Sequence, residues 1–208
     1  MRSYGVPLGV GLGMATLPSK IAAQSLRNLD DAVHPTGPLH ALISTIIDQH
    51  HAYLKRELPA IEVLLTEAAR DDAGKSRTVA PAMLPVFLRF RRELEAHMKR
   101  EETTLFPLIE RMETTVAQDR PAPINSFGPL SNAIAFMKED HVFGDKLLQM
   151  MDEISHGFTS APDAPVHYLS AMNRLRALSL DMAEHVRKED EKLFPEAIRC
   201  EESGRMND

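Results

Sequence analysis

Apolar residues recur at helical steps in four separate stretches of the chain, and no stretch shows the period-two alternation that a strand would require. Over about residues 39–70, Ile43, Ile47, His51, Leu54, Leu58, Ile61 and Leu65 share one helical face. Pro59 falls inside this helix and predicts a kink. A second helix, about residues 82–113, carries Phe90, Leu94, His97, Glu101, Leu105 and Leu108 on its inward line, and Pro107 is expected to bend or interrupt it. The third, about 129–156, aligns Ile134, Met137, His141, then Gly144 or Asp145, and Leu148. The fourth, about 166–200, aligns Leu178, Met182, His185, Glu189 and Leu193.

Turn-forming sequence separates these stretches: Asp71 to Ser76, the Pro-containing segment 119–125, and Gly157 with the segment 160–165. Helices of about 30 residues, each about 45 Å long, joined by short connections, predict an all-α, up-down-up-down four-helix bundle over residues 39–200. Residues 1–38 read as a Gly/Pro-punctuated, flexible leader, with a short helix around 21–29 and a stop from His34 to Pro38. Residues 201–208 read as a polar, frayed tail.

Each apolar stripe is broken by polar residues in the same order: one His, then His-x3-Glu, then one His, then His-x3-Glu. The second and fourth stripes are copies. His97-Met98-Lys99-Arg100-Glu101-Glu102-Thr103-Thr104-Leu105-Phe106-Pro107 returns as His185-Val186-Arg187-Lys188-Glu189-Asp190-Glu191-Lys192-Leu193-Phe194-Pro195. His and Glu four apart on a helix lie on one face about 6 Å along the axis, so an imidazole nitrogen and a carboxylate can converge on one ion. A single such pair is usually a solvated surface pair. Two solvated faces, however, have no physical reason to share Leu-Phe-Pro at the same offset, whereas two halves of a pseudo-symmetric site do.

Taken singly, His51 and His141 would read as hydrogen-bonded core histidines. Together with the two pairs they complete a candidate ligand set of His51, His97, Glu101, His141, His185 and Glu189. Six ligands suit two ions bridged by the two carboxylates, about 3.5–4 Å apart, better than one ion. Mixed imidazole and carboxylate donors favour iron or manganese, with zinc behind them, and two iron ions are the leading choice. His50 adjoins His51, and neighbours on a helix point about 100° apart, so only His51 is expected to face the core squarely. His34, His40, His156 and His167 fall near loops or helix ends and are expected to face solvent. Glu102 and Asp190 read as surface groups or as supports for the ligands. Glu93 and Asp140 read as imidazole N–H acceptors, as groups lining an approach to the metals, or as solvated helix face. Met137 and Met182 read as core filler.

Composition narrows the chemistry. The single cysteine, Cys200, excludes a disulfide framework, an all-thiolate zinc site and a protein-ligated iron–sulfur cluster within one chain. The net charge of −6 arises from interleaved signs with no Lys/Arg block, so nucleic acid is not an expected partner. No apolar run reaches the roughly 18 residues of a membrane span. The apolar segment 4–17 carries Pro7, Gly9, Gly11 and Gly13, which oppose the helical core of a signal peptide, so a cytoplasmic location is expected.

With His51 to Pro59 in the first helix, the two copied segments and Glu139-Asp140-His141 in the third, the chain resembles the hemerythrin-like, or HHE cation-binding, family over about residues 39–200. Within it the resemblance is to the iron–sulfur cluster repair di-iron proteins, the repair of iron centres family. The resemblance implies a hemerythrin-like bundle whose metal ligands fall on His51, His97, Glu101, His141, His185 and Glu189, with the two Glu as bridges. It implies a role in restoring iron–sulfur clusters damaged by oxidative or nitrosative stress, by supplying iron or handling NO, with damaged iron–sulfur proteins as partners. Many repair proteins of this kind carry an N-terminal domain with a vicinal cysteine pair, and residues 1–38 contain no Cys. A protein that binds or senses O₂ or NO is the alternative, and a reductase of NO or peroxide a second.

Overall fold

Each apolar stripe forms a long helix in the computed structural model, which describes residues 39–72, 77–118 and 128–205. The leader 1–38 with His34, most of the turn after Asp71, the loop 119–125 and residues 206–208 lie outside the described residues. Helix α1 spans residues 39–71, α2 spans 80–116, α3 is Leu130–Ser155 and α4 spans 166–205. All the elements among the described residues are helices. α1 packs along α2 and α4, α2 packs along α3, and α3 meets α4 to close an up-down-up-down bundle. No helix among the described residues is long and apolar enough to cross a membrane.

Three helices contain a π turn: Ile46–His51 in α1, Glu101–Leu105 in α2 and Glu189–Leu193 in α4. In each, a backbone N–H reaches one residue further back than in an α-helix: Ala52 to the Ile47 carbonyl, Phe106 to Glu101, and Phe194 to Glu189. The Leu-Phe-Pro of both copies explains two of these turns. Proline lacks an N–H and crowds the carbonyl four residues back, and a widened turn just before Pro107 and Pro195 relieves that crowding. Pro107 therefore does not interrupt α2, and α1 runs on as helix through Pro59.

The π turn in α1 corrects the expected stripe there. Ile46 rather than Ile47 is fully buried, and His50 and His51 are both buried, at 4% and 0% exposure. The extra residue in the turn rotates the helix, so two adjacent imidazoles point inward. α3, with no π turn, reaches His141 from Leu130 in one residue fewer than α1 needs from Leu39 to His51.

Helix ends follow local chemistry. Pro129 and Pro165 immediately precede α3 and α4, and α3 stops where His156 and Gly157 take left-handed backbone angles (φ 53° and 86°). α4 continues to Arg205 instead of fraying at Glu201. Glu201 is buried at 6% exposure and accepts the Leu130 N–H with both oxygens, at 3.1 and 3.2 Å. Glu113 of α2 does the same for α1, accepting the N–H groups of Leu39 at 2.5 Å and His40 at 3.1 Å. Glu113 stands as far beyond Glu101 as Glu201 stands beyond Glu189, so the duplication extends past the copied segment.

The apolar core is divided. One cluster joins Leu54 to Ala68 of α1 with Met83 to Met98 of α2, Leu147 to Met151 of α3 and Tyr168 to Met182 of α4. The other joins Leu39 to Ile46, Leu105 to Met112, Leu130 to Met137 and Leu193 to Ala197. The candidate ligands of all four helices lie between these two clusters.

Candidate metal centre

His51, His97, Glu101, His141, His185 and Glu189 are all brought together in this layer, and all are buried. They form two groups. His51, His185, Glu101 and Glu189 offer four donor atoms within 4.8 Å of one another, as do His97, His141, Glu101 and Glu189. Both groups share the two carboxylates. Glu101 Oε2 lies 3.4 Å from His51 Nε2 and 3.3 Å from His97 Nε2. Glu189 spans the groups with separate oxygens: Oε1 is 3.0 Å from His185 Nε2, and Oε2 is 3.1 Å from His141 Nε2.

The outer nitrogen of three rings faces a carboxylate. His51 Nδ1 is 2.7 Å from Glu102, His97 Nδ1 is 3.3 Å from Asp140, and His141 Nδ1 is 3.2 Å from Asp190. An ionised carboxylate only accepts, so these rings donate Nδ1–H, and in the neutral ring Nε2 then presents a lone pair to the interior. Cations hold each carboxylate in turn: Lys55 on Glu102 at 2.7 Å, Arg100 on Asp140 at 2.5 Å and Lys138 near Asp190 at 3.9 Å. Glu102, Asp140 and Asp190 are thus supports for the imidazoles. Glu93 is not; it pairs with Arg92 on the surface.

Inside, the Nε2 atoms of His51 and His185 approach to 3.2 Å, as do those of His97 and His141. Facing lone pairs repel, and both Glu101 oxygens and Glu189 Oε2 are buried without an aligned hydrogen bond. Lone pairs and carboxylate oxygens that converge with three of the four oxygens lacking an aligned donor form an environment for cations, whether metal ions or protons on the imidazoles. The electrostatics agree. Burial opposes protonation of His141, yet Asp190 and Glu189 outweigh it and push its pKa up to about 10. His51 and His97 are likewise raised, burial being overcome chiefly by Glu101. Burial would raise the Glu189 carboxyl, but His185 and His141 hold it well below the usual range.

Two aromatic contacts repeat the symmetry. Phe106 stacks on His51 at 5.8 Å between centroids, and Phe194 stacks on His141 at 5.9 Å. These are the phenylalanines of the copied Leu-Phe-Pro. Met137 and Met182 belong to the apolar core, a Cβ added at Gly144 would meet the Phe90 ring at 4.0 Å, and His40 and His156 are exposed. His167 is half-exposed and meets Asp71.

An all-helical bundle with a buried layer of paired His and Glu on facing helices defines the class of hemerythrin-like metal-binding proteins. The chain matches the hemerythrin HHE cation binding domain over residues 42–197, and it belongs to that family. It is similar to the iron-sulfur cluster repair protein YtfE of Citrobacter koseri, 27% identical over 166 residues that make up 80% of this chain and 69% of that protein. The YtfE proteins of Escherichia coli O157:H7 and Escherichia fergusonii match with the same identity and coverage.

Proposed function

We propose that this chain is a non-haem di-iron protein that acts in the repair of iron–sulfur clusters damaged by oxidative or nitrosative stress. His51 and His185 would hold one ion and His97 and His141 the other, with Glu101 and Glu189 shared between them. The observation that carries the reading is this sharing: two four-donor groups with two carboxylates in common, three of whose four oxygens are buried without an aligned hydrogen bond. Hard carboxylate and borderline imidazole donors suit iron, with manganese and zinc as lesser fits.

Bound iron would supply a redox-active Lewis acid able to take a small diatomic such as NO or O₂. The protein's own part is to fix the imidazole tautomers through Glu102, Asp140 and Asp190, and to exclude bulk water with the apolar clusters on either side. Four His and two Glu shared over two ions leave each short of full protein coordination, which favours release of iron to a client over permanent storage. The similarity to iron-sulfur cluster repair proteins supports the direction of that release, toward iron–sulfur clusters.

The test is anaerobic loading with labelled ferrous iron, metal analysis, and incubation with an apo iron–sulfur acceptor. Two irons per chain and transfer of label into a cluster are expected. A stable, reversible O₂ adduct over repeated cycles with no label transferred would overturn the repair reading in favour of gas binding or sensing.

A further inference from the structure

Three of the four imidazoles have a carboxylate on the outer nitrogen, and the fourth, His185, does not. At His97, Arg100 holds Asp140, and Asp140 meets His97 Nδ1. The duplication places Lys188, His50 and His185 at the corresponding positions. There His50 brings no carboxylate. Its ring lies parallel to that of His185, with centroids 5.3 Å apart and planes 4° apart. His50 Nδ1 is 2.9 Å from Asp181, and Lys188 donates to its Nε2 at 2.9 Å. His185 Nδ1 is buried and has no hydrogen-bond partner.

We propose that the two metal positions are inequivalent: iron held by His51 and His185 is the exchangeable iron, and His50 is a positioning residue that orients the His185 ring by stacking in place of a carboxylate. The inference rests on the two-ion reading above. A carboxylate on the outer imidazole nitrogen both fixes the ring and raises its basicity toward the metal, and loss of such a partner typically costs about 10–100-fold in affinity. Stacking fixes the ring plane but does not make the nitrogen more basic. Both rings at the His97/His141 position carry a carboxylate, from Asp140 and Asp190, whereas at the His51/His185 position only His51 does, from Glu102. The clamp on His50 comes from its neighbours on α4, Asp181 one turn before His185 and Lys188 just after it, so the ring is held flat against its target.

The experiment follows release of ferrous iron from the fully loaded chain to a ferrous chelator under anaerobic conditions. Two phases of equal amplitude are expected, with rates about ten-fold or more apart. His50→Asp, which installs the carboxylate beside Lys188, should slow the fast phase toward the slow one. Asp140→Asn, at a partly exposed position, should accelerate the slow phase alone. His50→Phe, which retains a flat ring, should leave the fast phase near its original rate, while His50→Ala should accelerate it. Two bound irons leaving in a single phase would overturn this inference while sparing the two-ion reading, as would a folded His50→Asp or Asp140→Asn variant that alters the opposite phase. A chain that binds fewer than two irons would overturn the two-ion reading and this inference with it.

Discussion

Glu201, near the end of α4, accepts the first backbone N–H of α3 at Leu130 through both carboxylate oxygens. A carboxylate is well placed there, because the helix N-terminus carries unpaired donors and a partial positive charge. Glu201→Ala should leave a buried N–H without its acceptor and lower stability by about 1–3 kcal/mol. The check is urea unfolding of the metal-free protein: the midpoint should fall with the slope unchanged, and Glu201→Gln should lose less.

Glu101 and Glu189 each face one imidazole of both donor groups. Replacing both with Ala should remove both shared carboxylates and abolish binding of a coupled iron pair, with helix content retained. Metal analysis and low-temperature magnetic measurements on the loaded protein are the checks, and retention of two coupled irons would refute the bridging assignment.

His51 donates to Glu102, which is itself held by Lys55. Glu102→Gln keeps the shape but removes the charge that makes the imidazole a better donor, so iron affinity should fall about 10–100-fold. Glu93→Gln, a surface change, is the control. Competition with a calibrated chelator compares the two; equal affinities would show that Glu102 does not act through His51.

In the metal-free protein, positive charge in the layer must come from protons. Burial disfavours it at His141, but Asp190 and Glu189 prevail, and the pKa rises from 6.5 to about 10. A folded-state pKa above the unfolded value contributes stability fully below the unfolded value, and that contribution drains away as pH rises through the folded one. His51 and His97 shift in the same direction. Metal-free protein should therefore melt progressively lower between about pH 6.5 and 10, whereas iron, which requires neutral imidazoles, should offset the loss. Thermal melts with and without iron across that range test this, and a flat metal-free profile would contradict it.

The helices were legible because their apolar spacing and the prolines and glycines between them act locally. The copied His-x3-Glu segments likewise mark the layer, because spacing within each helix alone puts His and Glu on one face. The π turns are not legible, because a single extra residue in a helix leaves an apolar stripe that still looks periodic; hence the spacing places Ile47 inside where Ile46 lies, and turns His50 away from the core. Glu113 and Glu201 carried a signal that local reading passes over: they repeat at the same offset from the copied segments, well beyond their ends. The carboxylates at Glu102, Asp140 and Asp190 are set by pairing between helices, which spacing within one helix does not specify.

The divided core has a consequence for how the protein opens. The polar layer separates the two apolar clusters, so metal bound in it would tie them more firmly into one cooperative unit. Stripped of it, the bundle should open in two steps, as structures with separate cooperative regions do. The smaller cluster, built on Leu39 to Ile46 and Leu193 to Ala197, should open first. Native-state hydrogen exchange would report this as faster amide exchange at that end of all four helices, with protection equalised along the bundle when iron is restored.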